Sequence, residues 1–267
     1  MAAAAMMAAC SSDNGEEPVN NETETVTISF PQFKTTIEPL TRGTTDVSTL
    51  VTHIDVWFTD GTTTTDVHQV STDANFGTIT ADLNRNNTYT MYAVAHKADG
   101  ATLTDGVVAF TDDKVTHSMW YTTTFSPSTT TSLSCEMTRI VADFRLEITD
   151  DIPTSVKKLR FTVSDVFDRW SVTDGGTHQL DRTSIINYNG TSAVFNIYAI
   201  VTDAQTTHTV TVTALDENDQ EVQTRTFADV PLRNGYKTNY RGTFFIDSSF
   251  TSSFTINDWN EYETVDF

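Results

Sequence analysis

The stretch LSCEMTRIVADFRLEI, residues 133–148, decides how this chain folds. Its apolar residues recur with period two, the mark of a strand with one buried face. Leu133, Cys135 and Met137 hold odd positions, whereas Ile140, Ala142, Phe144, Leu146 and Ile148 hold even ones. One extra residue in a strand swaps the face it buries, so a bulge or kink near Thr138 and Arg139 reconciles the two registers. The stretch therefore reads as a strand that leaves one core and enters a second. A continuous single sheet carrying a bulge is the other arrangement the pattern allows.

The same alternation recurs outward in both directions. Val26, Ile28 and Phe30 share one face, as do Ile54, Val56 and Phe58, then Tyr92 and Val94. Later runs are Leu159, Phe161 and Val163; Phe195, Ile197, Ala199 and Val201; and Val210, Val212 and Ala214. Turn signals separate them at Asp60-Gly61, residues 84–87, Asp99-Gly100, Asp105-Gly106, residues 174–176, Asn189-Gly190, residues 216–219 and Asn234-Gly235. Helix-length apolar stripes are nearly absent, and β-branched and aromatic residues crowd the periodic segments. Short strands at this spacing predict an all-β chain of sandwiches. The polar run SPSTTTS, residues 126–132, marks the boundary between an N-terminal domain over 22–130 and a C-terminal domain over 131–267.

The opening run MAAAAMMAACSSDN, residues 1–14, looks like the back half of a bacterial lipoprotein signal. Residues 1–10 supply the apolar core and small cleavage-site residues, and Cys10 is the expected lipid acceptor. Acyl chains on Cys10 would hold the protein on a membrane while the rest stays outside the cytoplasm. The run is short and no basic residue precedes it, so a longer signal starting upstream and an Ala-rich tail are both open readings. Residues 11–21, SSDNGEEPVNN, are polar, acidic and aperiodic, and read as a flexible tether. With Cys10 lipidated, Cys135 is left single and no intramolecular disulfide is expected. It reads as a small buried apolar residue.

The 267 residues carry 16 Lys and Arg against 36 Asp and Glu, a formal net charge of -20. A surface that acidic repels phosphate backbones, so no nucleic acid is expected as a partner. His53, His68, His96, His117, His178 and His208 show no metal-ligand spacing, and their i, i+2 acidic neighbours, Asp55 and Asp66, read as chance contacts. The acidic clusters at Asp112-Asp113, Asp150-Asp151 and residues 216–221 do not match a calcium loop. No nucleophile elbow or phosphate-cradling loop is present. No catalytic residue, metal or cofactor is expected, and the chain does not read as an enzyme. A glycan- or protein-binding module is the alternative function, with Trp57, Trp120, Trp170 or Trp259 stacking on sugar rings and Trp170 the best placed.

Three segments together resemble the fimbrillins, the type V pilins of Gram-negative anaerobes. MTRIVADFRLEITDDIPTSVKKLRF, residues 137–161, is similar to the start of their second domain, where an Arg, a Val-Ala pair and an acidic-Ile-Pro turn precede a strand. FPQFKTTIEPLTRGTTDVSTLVTHIDVWFTDG, residues 30–61, resembles their N-terminal region, with its Thr-Arg pair before the first full domain. VPLRNGYKTNYRGTFF, residues 230–245, is similar to their late strand, flanked by Asn-Gly and Gly.

The resemblance implies two tandem Greek-key, transthyretin-like β-sandwich domains after a lipoprotein signal and acidic tether. It implies a fimbrial subunit that serves cell adhesion, with other fimbrial subunits, identical or homologous, as partners. In that family an Arg-specific protease cuts near the N-terminus, releasing the lipid and the first strand. The vacated groove takes a strand from a neighbour. Arg42 matches the cleaved arginine; read alone, it is an ordinary loop arginine beside small residues Gly43, Thr44 and Thr45. Val26, Ile28 and Phe30 match the displaced strand. Phe254, Ile256, Val265 and Phe267 in the apolar, acidic tail form the candidate donor, the alternative being a last strand packed on its own domain.

Overall fold

The computed structural model of the chain describes residues 22–30 and 51–246 and the short strand at 255–258. Alternating sequence becomes strand almost everywhere, and the only helical element among the described residues is one 3-10 turn at Thr111–Asp113. The strands in the first half are β1 (Thr23–Ser29), β2 (His53–Thr59), β3 (Thr64–Val70), β4 (Thr78–Asn84), β5 (Tyr89–His96), β6 (Ala101–Thr104), β7 (Val107–Phe110) and β8 (Met119–Phe125). The crossing stretch holds β9 (Ser132–Ser134), β10 (Thr138–Arg139) and β11 (Ala142–Ile148). There follow β12 (Lys158–Ser171), β13 (Gly175–Asn187), β14 (Val194–Ala199), β15 (Thr206–Leu215), β16 (Glu221–Leu232), β17 (Tyr236–Gly242) and β18 (Thr255–Asp258). Six of the eight turn signals fall wholly between two of these strands, and the other two, at 84–87 and 174–176, overlap the end of β4 and the start of β13. At the first, the Asp60 carboxylate accepts the Thr62 and Thr63 amides, and Gly61 takes a φ of 91° that a side chain would strain.

Two sheets enclose the first core. One has the order β4-β1-β9, the other β10-β8-β5-β2-β3. Val26, Ile28, Ile79 and Leu83 from the first sheet meet Ile54, Val56, Phe58, Met91 and Met119 from the second. The second core lies between a sheet of order β14-β11-β17-β18 and one of order β16-β15-β12-β7-β6, with β13 also paired to β12. At its centre the Phe144 ring lies 5.4 Å from Tyr240, 6.2 Å from Phe227 and 6.5 Å from Phe161. The chain is all-β, built as packed sheets in a sandwich-like arrangement.

The stretch at 133–148 runs from one core to the other. Cys135 and Met137 are buried in the first core, and Ala142, Phe144, Leu146 and Ile148 in the second. Between them the strand breaks: β10 pairs with β8, and Ile140 and Val141 are both buried in a third cluster. The register change expected near Thr138 and Arg139 is therefore made between an exposed Thr138 and the buried run Arg139, Ile140 and Val141.

That third cluster is a seam whose extent alternation alone does not predict. β6 and β7 precede residue 131, yet β7 pairs with the far end of β12, opposing Val108 to Trp170. Trp57 and Val94, on the outward face of the β2–β5 pair, pack there with Val108, Phe110, Val115 and Ile200. β2 is consequently buried on both faces, where its sequence pattern suggested one.

Replacing Phe144 with alanine removes the ring that three other aromatic rings surround. Phe144→Ala is expected to lower unfolding stability by about 3–5 kcal/mol in a denaturant titration.

Candidate functional site

β1 is the natural centre of attention because of its place in the sheet. TETVTIS alternates small polar and branched apolar residues, a pattern that suits a strand with one dry face. Val26 and Ile28 are fully buried, and Phe30, one residue past the strand, is nearly so. β1 is the middle strand of three. It runs antiparallel to β4, with Val26 opposite Ala81 and Ile28 opposite Ile79. On its other side it runs parallel to β9, with Ile28 opposite Leu133. The outward face is tied by hydroxyls: Thr25 donates to Asp82 at 2.6 Å and Ser29 to the Leu133 carbonyl at 3.3 Å. Beyond the ladder, the Phe30 amide donates to the Gly77 carbonyl at 2.9 Å. At the other end the Arg85 guanidinium meets Glu22 at 2.9 Å.

Taking β1 away would leave β4 and β9 without a ladder partner among the described residues. It would also open a channel lined by Ile79, Phe58, Met91 and Cys135, all buried in the same core. Burial of each large side chain is worth on the order of 1.5–3 kcal/mol. Cys135 lies against β1, its amide donating to the Ser29 carbonyl at 2.9 Å. Burial pushes its thiol up to about 12, so it is inert in the folded chain.

Of the other residues singled out from the sequence, Cys10, Arg42, Phe254, Val265 and Phe267 lie outside the described residues, as does Trp259. Ile256 falls on β18, which pairs antiparallel with β17 of its own chain and sets Ile256 opposite Thr238. The tryptophans sit in the seam. Trp57 is buried, Trp120 stacks on Tyr92 at 5.7 Å, and Trp170 lies 6.4 Å from Trp120. The Trp170 indole nitrogen is buried without a hydrogen-bond partner. Trp57 thus has little face left for a sugar ring, whereas Trp120 and Trp170 are half-buried.

A polar cluster that sequence spacing did not find lies beside the seam. The Asp55 carboxylate, nearly buried, contacts His68 Nδ1 and His96 Nε2, each at 2.6 Å. The His53 ring stacks on His96 at 5.6 Å and lies 5.5 Å from His68. These contacts span 13 and 41 residues, so the i, i+2 neighbours read along single strands were the wrong pairs; the only usable signal was cross-strand register. Among the described residues no group of three or more His, Cys, Asp or Glu is placed to hold a metal ion.

The chain has counterparts among solved structures. A candidate cell adhesion protein from Parabacteroides distasonis superposes with a TM-score of 0.53 at 9% identity, over 92% of this chain and 99% of its own. Another, from Bacteroides uniformis, gives 0.51 at 14% identity, over 90% and 99%. At such identities the likeness concerns the fold. No family model and no curated protein matches this chain.

Two outcomes follow for this region. Ile28→Ala should destabilise the folded chain by about 2–5 kcal/mol, the cost of a cavity beneath a middle strand, read from a denaturant titration. The second concerns acid. Burial first, then the neighbouring His96 and His68, hold His53 below its ordinary pKa of 6.5, against the opposing pull of Asp55 and Asp99. The unfolded chain then takes up the proton more readily than the folded one. The stability this contributes is present above pH 6.5 and is lost as pH falls from there through the lower pKa of the folded chain. Denaturant midpoints taken on either side of that pH should differ less in His53→Asn than in the unsubstituted chain.

Proposed function

We propose that this chain is a structural subunit of a surface fimbria of the type V kind, assembled by protease-triggered strand exchange and serving cell adhesion. One observation carries the reading: a sheet whose middle strand is the first strand among the described residues, with its apolar side chains Val26 and Ile28 fully buried. Such a strand is separable. Arg42 lies in sequence between β1, which ends at Ser29, and β2, which begins at His53. Hydrolysis after Arg42 would cut the covalent link between β1 and everything that follows it, including any lipid on Cys10.

What remains would be a groove in search of a strand. A replacement must run antiparallel to β4, carry large apolar side chains where Val26, Ile28 and Phe30 now sit, and bear small polar residues between them. Its main chain would restore the ladder to β4, as in other cases of strand addition. The donor is a neighbouring subunit's apolar tail, with Phe254, Ile256, Val265 and Phe267 as its candidate anchors. The division into sandwiches over 22–130 and 131–267, and lipid anchoring to the outer membrane before cleavage, belong to the same reading. The occurrence of this fold in candidate cell adhesion proteins agrees with it.

Limited digestion of the folded full chain with an arginine-specific protease, which leaves Lys34 uncut, tests the proposal. Mass spectrometry should find cleavage after Arg42, and the trimmed protein should form a ladder of oligomers on a gel run without boiling. Arg42→Ala should stay uncut at that position and monomeric. A trimmed form that remains a monodisperse monomer at high concentration would rule polymerisation out.

A further inference from the structure

We infer that β9 is a strap, closed over the β1 site only while a strand occupies it and free to swing when that strand is gone. The inference rests on the strand-release reading above and adds how the site opens and shuts.

The two neighbours of β1 are held very differently. β4 is a seven-residue strand that buries Ile79, Ala81 and Leu83. The loop before it is pinned by Gln69, whose amide nitrogen donates to the Thr78 carbonyl at 2.8 Å and whose oxygen accepts from the Gly77 amide at 3.1 Å. β9 has only three residues, and among the described residues its sole ladder partner is β1. Its hydrogen bonds run to that strand: Thr27 N–H to the Thr131 carbonyl, Cys135 N–H to the Ser29 carbonyl, and the Ser29 hydroxyl to the Leu133 carbonyl. Without β1, β9 would lose its one ladder among the described residues, leaving side-chain contacts such as the packing of Leu133 and Cys135 to hold it.

Both ends of the strap are tied independently of β1. Upstream, the Thr129 and Thr130 amides turn back onto the Ser126 carbonyl, and the Ser126 hydroxyl donates to the Asn87 carbonyl at 3.3 Å. Downstream, β10 pairs with β8 and the Ile140 amide donates to the Ser118 carbonyl. Residues 131–137 are thus a short span between two fixed points. An incoming strand would add first to the persistent edge of β4, and β9 would then close over it in parallel. Closure returns Cys135 to the core, so this thiol reports the state of the strap.

Hydrogen exchange in the uncut full chain tests this directly. Ile28→Ala weakens the hold of β1, and should speed exchange at Thr27 and Ser29 by about tenfold or more. The amides of residues 133–135 should accelerate by the same factor, while those of β11 and β12 stay unchanged. Labelling of Cys135 by a maleimide, in a Cys10→Ala background, should rise in parallel. If Ile28→Ala unfolds the first core, the comparison is made in the unsubstituted chain along a series of sub-denaturing urea. The β1 and β9 amides should then merge on one opening transition. Amides at 133–135 that stay slow while those of β1 accelerate would overturn the strap. Failure of the trimmed chain to polymerise would count against the proposed function alone, since the strap is read in uncut protein.

Discussion

The arrangement depends on main-chain hydrogen bonding from both edges of β1. A strand at the edge of a sheet can leave at the cost of one ladder. A middle strand holds two, and here neither neighbour has a substitute among the described residues. The side chains act in the same direction, because Val26, Ile28 and Phe30 fill a dry interior with no water to replace them. The folded chain is therefore tightly closed, and on the proposed reading the same closure would make an emptied site strongly avid for any strand of matching pattern. Unpaired strand edges are a hazard that natural proteins normally hide. A sheet that exposes two of them on losing one segment turns that hazard into a directed contact.

On the proposed reading, the seam is what would let the first core tolerate such an event. The sheet opposite β1 is buried on its far side too, where Trp57 and Val94 pack against Val108, Phe110, Ile140 and Val141. β1 is therefore not its only support. β12 carries the other half of this layer by serving two neighbours along one edge: residues 158–163 pair with β15 and residues 169–171 with β7. A register shift between Val163 and Val166, with Asp165 at a φ of 55°, separates the two stretches. The bulge re-aims the strand, as bulges do. The sheet that would face an emptied groove is thus clamped from behind by the second half of the chain.

Much of this was legible in the residues. Period two, turn signals and the odd-to-even change at 133–148 were enough for an all-β chain and for a strand that changes cores. The burial of Val26, Ile28 and Phe30 followed from the same pattern. What alternation could not show was partnership at long range. Nothing in ATLT or VVAF says that β6 and β7 join a sheet built mostly from residues beyond 150. The surroundings of Trp120 and Trp170 were hidden for that reason, since both pack in a seam that β6 and β7 help to build. The Asp55 cluster was hidden for a related reason: its members meet across strands through register, which a linear reading of neighbours does not encode.

Charge limits which forces can drive assembly. A chain with a formal net charge of -20 meets another copy of itself as a like-charged body, and its tail adds Asp258, Glu261, Glu263 and Asp266. Screening at physiological ionic strength confines that repulsion to about 8 Å, so it opposes approach but fades at contact. Steering by complementary charge, which speeds many associations, is not at work between identical acidic copies. The attraction must then be short-ranged: apolar side chains entering sockets already shaped by Val26, Ile28 and Phe30, and main-chain bonds that every sequence supplies. Neither depends on salt, whereas the barrier to approach does. On the proposed reading, the rate of assembly is set by ionic strength and its endpoint by the fit of a few apolar residues.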